Sequence, residues 1–228
     1  MTYHFRNLVF EGGGVKGIAY VGALRVLGHE DRKILQNIKR VGGTSAGAIV
    51  ALLVGLGYSN DDIEKILIEL DLTTFMDDNI GPIRDLYRLL IKGYGWYKGE
   101  AFMNWIEGII ETKTGNKDST FKDLKGNPNF KEMFFQGTNL SNHIVETFSS
   151  ERKECEDMMI KDAVRISMSI PIFFKAVKRN DCYYVDGGVL SNYPVRLFDR
   201  QKYVENNEHY DIPEYYREMI NTESDDPY

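Results

Sequence analysis

The sequence predicts an α/β fold with a mostly parallel sheet. A short apolar strand runs into a turn of small residues and then into a helix, and this order of elements occurs twice. The first unit spans residues 8–28 and the second spans residues 34–57. Strands that are joined through a helix pair in parallel, because the crossover returns the chain to the end of the sheet from which it started.

The first unit begins with a strand at Leu8–Phe10. After the glycines that follow it, apolar residues recur every three positions, which predicts one face of a helix that ends near Gly28. The residues on this face are Ile18, Val21, Leu24 and Leu27.

The second unit holds a strand within ILQNIKRVGG that ends at Val41, followed by the turn TSAG. The apolar run from Ala46 to Gly57 comes next. This run is shorter than the ~20 residues that span a bilayer. It therefore predicts a buried core helix.

The rest of the chain continues to alternate helices and strands. Helices with one apolar face are predicted at residues 61–70, 82–92 and 99–115. Strands are predicted at residues 132–140, 143–150 and 182–188. The polar and acidic residues 221–228 are expected to fray.

The composition bounds the class of function. The chain has 228 residues, of which 43% are hydrophobic and 27% charged, and its formal net charge is −6. One globular domain is expected, and the negative charge argues against a nucleic-acid binder. The two cysteines and four histidines lie far apart, so we expect free thiols, no metal and no cofactor. The amino terminus lacks a signal-peptide pattern, so we expect a cytoplasmic protein that is soluble or peripheral at membranes.

A glycine-rich loop, FEGGGVKG, follows the first strand. Gly12, Gly14 and Gly17 have the spacing G-x-G-x-x-G of dinucleotide-binding loops. That function also needs a carboxylate at the end of the second strand, which ends instead in KRVGG. The ATP-binding pattern fails because Ile18, not lysine, follows Gly17. Three interpretations stay open: a nucleotide site, a site for negative charge on a substrate oxygen, and a turn that only permits close packing.

The second strand ends in GTSAG, which places Gly43, Ser45 and Gly47 in the pattern G-x-S-x-G. A strand before this pattern and a helix after it are the setting of a nucleophile elbow. The small residues permit a sharp turn, and the serine oxygen projects near the helix amino terminus, where N–H groups favour negative charge. The pattern predicts that Ser45 is a catalytic nucleophile.

A nucleophilic serine needs a base, and the sequence offers two candidates. His209 is late enough for the order Ser, Asp, His, but it lies in a polar stretch without a strand. Asp186 ends the predicted strand CYYVD, and Gly187 and Gly188 let the chain turn there. Taken alone, this Asp-Gly-Gly sequence is better interpreted as an ordinary turn.

The motifs GGGVKG, GTSAG and DGG occur in this order and closely resemble those of the patatin-like phospholipases, which are lipid acyl hydrolases with a serine–aspartate dyad. Further segments resemble family blocks: GWYKGEAFMNWI, FKDL, GTNLSN, AVRISMSIPIFFKAV and DGGVLSNYPV. The resemblance covers residues 8–198 and implies a three-layer α/β/α sandwich in a single catalytic domain over residues 1–228. Family members usually continue beyond the aspartate, whereas residues 207–228 are a polar tail. We therefore expect a compact member or one module of a longer protein.

The resemblance implies a role for each motif. Ser45 and Asp186 form the catalytic dyad. The oxyanion hole is formed by the amides of Gly12, Gly13 and Gly14. Lys16 has either a role, in which it steadies this loop or binds the anionic head of the substrate, or no role, as a solvated lysine. The glycines that support the motifs are Gly17, Gly43, Gly47, Gly187 and Gly188. A side chain at Gly13 is expected to push the loop backbone away from the oxyanion.

These roles imply hydrolysis of fatty-acyl esters of phospholipids or glycerolipids through an acyl-enzyme intermediate. No metal is needed, because loop amides replace calcium as the electrophile. Aromatic residues between 75 and 102 could line an acyl groove, but for any one of them covering the sheet is the favoured interpretation. The basic face of the 82–92 helix is a candidate contact for anionic headgroups. The rival functions are a nucleotide-binding module, a fold without turnover and a Ser-His-Asp esterase.

Overall fold

Two strand–turn–helix units form the centre of the fold, as the sequence predicts. The computed structural model describes residues 5–31, 34–70, 72–75 and 95–203. In the first unit, β1 (Asn7–Phe10) leads through a 3-10 turn into α1 (Ala19–Gly28). In the second, a short helix α2 (Ile34–Asn37) precedes β2 (Arg40–Gly43), which turns directly into α3 (Ala46–Gly55).

Helix α3 is the centre of the hydrophobic core, because all ten of its residues are buried. They are apolar or small on every side, as a fully enclosed helix requires. Glycines let this helix approach the strands. A Cβ at Gly47 would lie 2.3 Å from the carbonyl O of Phe10, and a Cβ at Gly43 would lie 2.3 Å from the carbonyl O of Gly47. Both glycines of the GTSAG motif therefore serve close packing between β1, β2 and the start of α3.

Further elements follow within the described residues. The helices are α4 (Asn60–Glu69), α5 (Glu100–Thr114), α6 (Phe121–Leu124) and α7 (Ile160–Ser167). The strands are β3 (Gly95–Tyr97), β4 (Glu132–Asn139), β5 (Ile144–Ser149), β6 (Ile172–Phe174), β7 (Val177–Arg179) and β8 (Cys182–Asp186).

The main sheet is mixed, with parallel strands at its core and helices on both faces. Strands β1, β2 and β4 are neighbours in that order and pair in parallel. Strand β5 pairs antiparallel with β4, while β8 pairs antiparallel with both β4 and β7. Strands β3 and β6 form a separate parallel pair. The α/β/α arrangement predicted from the sequence is confirmed.

Two strands occupy one edge of β4 end to end. Strand β2 pairs with residues 132–135 of β4 and β8 pairs with residues 137–139, while β5 fills the opposite edge. Because β2 runs parallel to β4 and β8 runs antiparallel to it, the carboxyl ends of β2 and β8 face each other near Gln136. Backbone pairing therefore brings the turn after β2 close to Asp186, the last residue of β8.

The structure departs from the sequence predictions at a few positions. Ile34–Asn37 is helical, so the second strand is confined to Arg40–Gly43 and ends beyond Val41. Ile18, predicted on a buried helix face, ends the 3-10 turn and is exposed. Strands β3, β6 and β7 have three residues each, which is too short for an alternating pattern to show. The predicted helix 82–92 and the tail 207–228 lie outside the described residues.

The chain divides into two compact units, Met1–Pro194 and Val195–Tyr228. The second unit is described for residues 195–203, which form two 3-10 turns, Val195–Phe198 and Gln201–Tyr203. Both cysteines are free thiols. In the described part of the chain, no helix combines the length and the hydropathy that crossing a membrane requires.

The close approach of α3 to β1 predicts opposite effects for two helical glycines. Gly47→Ala places a Cβ 2.3 Å from the Phe10 carbonyl O, so the free energy of unfolding should fall by about 1–3 kcal/mol. At Gly22 in α1 a Cβ would meet nothing within 4 Å. Because alanine has the higher helix propensity, Gly22→Ala should raise the free energy of unfolding by up to about 1 kcal/mol. Urea denaturation measures both changes. A Gly47→Ala protein as stable as the wild type would contradict this packing.

Candidate active site

The turn between β2 and α3 holds Ser45 in a rare backbone conformation. Its φ is 55° and its ψ is −131°, a combination that residues other than glycine seldom adopt. Such strain persists where the surroundings impose it, and it concentrates at functional sites. Here the N–H of Ser45 donates to Oγ of Ser167 (3.2 Å), and its carbonyl accepts the N–H of Ala48 (2.8 Å). The strand, sharp turn and helix predicted around GTSAG are all present.

Asp186 lies at the end of β8, where its side chain is almost fully enclosed, at 4% exposure. Its Oδ1 accepts the N–H of Gly188 (2.7 Å), and its own N–H donates to the carbonyl of Ser169 (2.9 Å). Its Oδ2 is buried and receives no hydrogen bond of standard geometry from the described residues. A Cβ at Gly187 would lie 2.5 Å from the carbonyl O of Gln136, so this glycine lets the turn after Asp186 lie against β4.

Burial raises the pKa of the Asp186 carboxyl from its ordinary value of 3.8 to about 6. Two groups act in the opposite direction on this pKa: the N–H of Gly188 and the hydroxyl of Ser45. The hydroxyl therefore lies near the carboxyl, and a Cβ at Gly187, the residue after Asp186, would lie 3.0 Å from Cγ2 of Thr44, the residue before Ser45. At neutral pH a carboxyl with this pKa is mostly ionised and can accept a proton from its neighbour.

The glycine loop lies directly against the serine. A Cβ at Gly12 would lie 3.0 Å from Cβ of Ser45 and 2.3 Å from Oδ1 of Asn192. The N–H of Gly12 donates to the carbonyl of Asn192 (2.9 Å), so this amide is already occupied. The N–H groups of Gly13 and Gly14 have no acceptor among the described residues. Gly14 has φ +54°, which favours glycine.

The crowding expected at Gly13 is found at Gly12 instead. A Cβ at Gly13 would meet Cβ of Lys16 at 3.6 Å, an ordinary contact, so the backbone has no reason to move. Lys16 itself is exposed, and its N–H donates to the carbonyl of Gly13 (3.1 Å). A Cβ at Gly17 would lie 3.5 Å from Cβ of Ala46, which places this glycine beside the start of α3.

Asn192 is a residue of this site that sequence reasoning missed. Its Nδ2 donates to Oε1 of Glu11 (3.1 Å) and to the carbonyl of Gly12 (3.1 Å), while its own carbonyl accepts the N–H of Gly12. Its Oδ1 lies near Gly188, where a Cβ would approach it to 3.0 Å. Asn192 therefore fastens the glycine loop to the loop that follows Asp186. A single asparagine between Ser191 and Tyr193 gives no such signal in one sequence.

Helix α7 and the residues after it hold the backbone of both candidate catalytic residues, and these supporting residues were also missed. Ser167 accepts the N–H of Ser45, and the carbonyl of Ser169 accepts the N–H of Asp186. Buried Arg165 donates from Nη1 to Oγ of Ser169 (2.6 Å), which holds this segment in place. The motif SMS within AVRISMSIPIFF is the corresponding sequence, although its spacing alone predicts only a helix end.

Two of the aromatic residues considered for an acyl groove belong to the core. Phe75 and Phe102 are buried, and their ring centroids lie 5.1 Å apart in edge contact. Phe102 also lies close to Phe174 of β6, with centroids 6.1 Å apart. Both side chains therefore pack in the hydrophobic core. Tyr87 and Tyr94 lie outside the described residues.

Of the four histidines, the structure describes His29 and His143, and both are exposed. His209, the alternative base, lies outside the described residues. In the part of the chain that the structure describes, Asp186 is the titratable group whose pKa the hydroxyl of Ser45 affects.

A family model described as patatin-like phospholipase matches residues 8–199 of this chain. The chain belongs to the patatin-like phospholipase family. The match includes the glycine loop, the GTSAG turn, α7 and the DGG turn, so the resemblance noted from the motifs is confirmed.

Relatives of this patatin-like chain occur in bacteria and in viruses. YqhO of Bacillus subtilis is 35% identical over 85% of this chain and 67% of its own length. The probable lipid hydrolase 463L of Invertebrate iridescent virus 6 is 28% identical over 85% of this chain and 63% of its own length. A mimivirus protein is 36% identical, and this chain covers 61% of it. The chain thus spans about two thirds or less of these relatives' length.

A solved structure shares the patatin-like fold. VipD of Legionella pneumophila superposes with a TM-score of 0.66 over 83% of this chain and 47% of VipD, at 21% sequence identity. At this identity the likeness concerns the fold, which agrees with the mixed sheet and its parallel core.

The raised pKa of Asp186 predicts how stability depends on pH. Between about pH 4 and pH 6 the folded carboxyl keeps a proton that the unfolded chain has lost, because its pKa is raised from 3.8 to about 6. This proton adds its full contribution to the free energy of unfolding below the unfolded pKa of 3.8. The contribution falls as the pH rises and is lost above the folded pKa of about 6. The loss should amount to about 3 kcal/mol, at ~1.4 kcal/mol per pKa unit.

Comparison with Asp186→Asn isolates this carboxyl, since all other groups titrate alike in both proteins. The unfolding free energy of the wild type minus that of Asp186→Asn should fall between about pH 4 and pH 6 and then stay constant. Urea denaturation at several pH values measures this difference. A difference that does not change with pH would show that the carboxyl has its ordinary pKa.

Proposed function

We propose that this chain is a lipid acyl hydrolase of the phospholipase A type, with Ser45 as nucleophile and Asp186 as base. The observation that carries the proposal is the buried carboxyl of Asp186, which faces the hydroxyl of a serine at a strained strand–helix turn. Family membership supports the substrate class, and so does the relative described as a probable lipid hydrolase.

The reaction proceeds in two halves. Ser45 Oγ attacks the ester carbonyl carbon as its proton passes to Asp186, giving a tetrahedral intermediate with a negative oxygen. The carbon–oxygen bond to the alcohol then breaks, and the alcohol or lyso-lipid leaves with the proton from Asp186. Water attacks the acyl-enzyme while Asp186 accepts its proton, and the fatty acid leaves as Ser45 recovers the proton.

Burial makes Asp186 a better base than a solvated carboxylate. A base accepts a proton most effectively when its pKa approaches the working pH, and the pKa of about 6 is closer to neutrality than the ordinary 3.8. The hydroxyl of Ser45 can donate directly to the unused Oδ2. No imidazole is needed between them.

The oxyanion is held by the free amides of the glycine loop. Gly13 and Gly14 supply these donors, whereas Gly12 anchors the loop through Asn192. One such donor is typically worth about 3–4 kcal/mol in the transition state. The N–H of Ala46, at the start of α3, also has no acceptor among the described residues and is a further candidate donor. Exposed Lys16 lies next to these amides and can contact an anionic headgroup.

The substrates proposed are phospholipids or other acyl lipids, which the protein meets as a cytoplasmic enzyme in peripheral contact with a membrane. No calcium takes part, because backbone amides stabilise the negative oxygen. A nucleotide-binding function is less well supported, since the amide of Gly12 is occupied and the second strand ends without a carboxylate.

Substitution of the two dyad residues tests the proposal. Ser45→Ala should lower kcat for a soluble chromogenic acyl ester by about 10⁴-fold or more, and Asp186→Asn by about 10²–10⁴-fold. His209→Asn should keep wild-type activity. In the wild type, kcat/KM should rise with pH through about 6, as Asp186 ionises, and EGTA should have no effect.

The matched control is Asp157→Asn, a change of an exposed aspartate that should leave kcat unaltered. Circular dichroism establishes that each variant is folded. Activity retained by folded Ser45→Ala or Asp186→Asn would refute the dyad. Loss of activity in His209→Asn would favour a Ser-His-Asp esterase.

A further inference from the structure

Apolar side chains are exposed on three loops around the candidate active site. They are Val15 in the glycine loop, Ile172 at the start of β6, and Val189, Leu190 and Tyr193 in the loop after Asp186. Val15 is 75% exposed, Ile172 65% and Leu190 54%. Single exposed apolar residues are ordinary on a protein surface, but a cluster beside a catalytic site marks a contact surface.

These loops are neighbours in the fold. Asn192, between Leu190 and Tyr193, binds Glu11 and Gly12 of the glycine loop. Burial raises the pKa of Tyr20, and Tyr193 lies close enough to add to this shift. The carbonyl of Ser169, shortly before Ile172, accepts the N–H of Asp186. The five apolar side chains therefore lie on segments that carry or hold the residues of the site, and we call them the apolar rim.

The backbone of Ile172 supports a function for the rim. Its φ is +73°, in the left-handed region that β-branched residues very rarely adopt. Its side chain gains no burial in return, because it points into solvent. A strained backbone that exposes an apolar side chain is consistent with a surface that is covered when the protein works.

We propose that the apolar rim is a docking surface that seats this chain on the zwitterionic surface of a lipid bilayer. This proposal rests on the proposed function. An acyl lipid is aggregated in water, whereas Ser45 is only 8% and Asp186 4% exposed, so the ester must leave the bilayer and enter between these loops. An apolar border around this entrance lets it do so without crossing water.

The charges of the loops favour a neutral lipid surface over an anionic one. Residues 11–18, 170–174 and 187–194 contain two charged side chains, Glu11 and Lys16, which have opposite signs. The whole chain carries a formal charge of −6, which opposes approach to anionic lipids. Apolar contact rather than ionic attraction should therefore dominate, and binding should persist at high salt.

Vesicle binding by the full chain with Ser45→Ala, which prevents turnover, tests the rim. This protein should co-sediment with phosphatidylcholine vesicles at low and at high salt. Adding Val189→Gln and Leu190→Gln should weaken the partitioning about tenfold or more, since two apolar side chains no longer enter the bilayer. The matched control is Val26→Gln, at a similarly exposed position near the carboxyl end of α1, away from the glycine loop, and it should bind like the parent.

A second measurement does not depend on the loss of binding. Leu190→Trp should show a blue shift of fluorescence with phosphatidylcholine vesicles, relative to the parent, and Val26→Trp should show none. Undiminished binding by the double glutamine variant, or no shift at Leu190→Trp, would overturn the proposal. The proposal would also be overturned if the protein bound only to anionic phosphatidylglycerol vesicles and high salt abolished that binding.

Two further outcomes separate this proposal from its alternatives. If the parent sediments as a dimer without lipid and the double glutamine variant as a monomer, the occupant of the rim is a second copy and the lipid proposal is wrong. If wild-type protein hydrolyses a soluble ester but its Ser45→Ala form does not bind vesicles, the rim fails while the proposed function stands. If the Ser45→Ala form binds vesicles but the wild type hydrolyses no ester, the apolar rim stands while the proposed function is wrong.

Discussion

The pairing of two strands along one edge of β4 is the constraint on which the site depends. Backbone hydrogen bonds set Gly43 opposite Phe135 and Asp186 opposite Gly137, so β2 and β8 end facing each other. Because side chains alternate along a strand, a slip of one residue in β8 would turn Asp186 to the other face of the sheet. The serine turn and the acid meet for reasons of sheet topology, although 141 positions separate them in the chain.

The site combines two features that disfavour folding. Ser45 has a strained backbone. Burial disfavours the ionised form of Asp186 and thereby raises the pKa of its carboxyl. Both are maintained by well-packed surroundings: α3 is enclosed on all sides, and Ser167 and Ser169 hold the two residues through hydrogen bonds. A catalytic site often departs from the most stable arrangement in this way, and the core offsets the cost.

Much of the fold was predictable because its signals are local. The apolar run of α3, the short strand before each small-residue turn and the pattern GTSAG are each contained within a dozen residues. The partners of the site were not predictable, because they come from distant parts of the chain. Ser167 lies 122 positions from Ser45, and Asn192 lies 180 positions from Gly12. Occupation of the Gly12 amide, which restricts the proposed donors of the glycine loop to Gly13 and Gly14, follows only from such a contact.

Covalent labelling with a fluorophosphonate tests the central claim, that Asp186 activates Ser45, most directly. The reagent reacts with an activated serine and needs no lipid, so the result is independent of substrate preference. We expect a single adduct, located on Ser45 by mass spectrometry, and a labelling rate that falls about 10²–10⁴-fold in Asp186→Asn but not in His209→Asn. An adduct on another residue, or labelling of Asp186→Asn at the wild-type rate, would contradict this account.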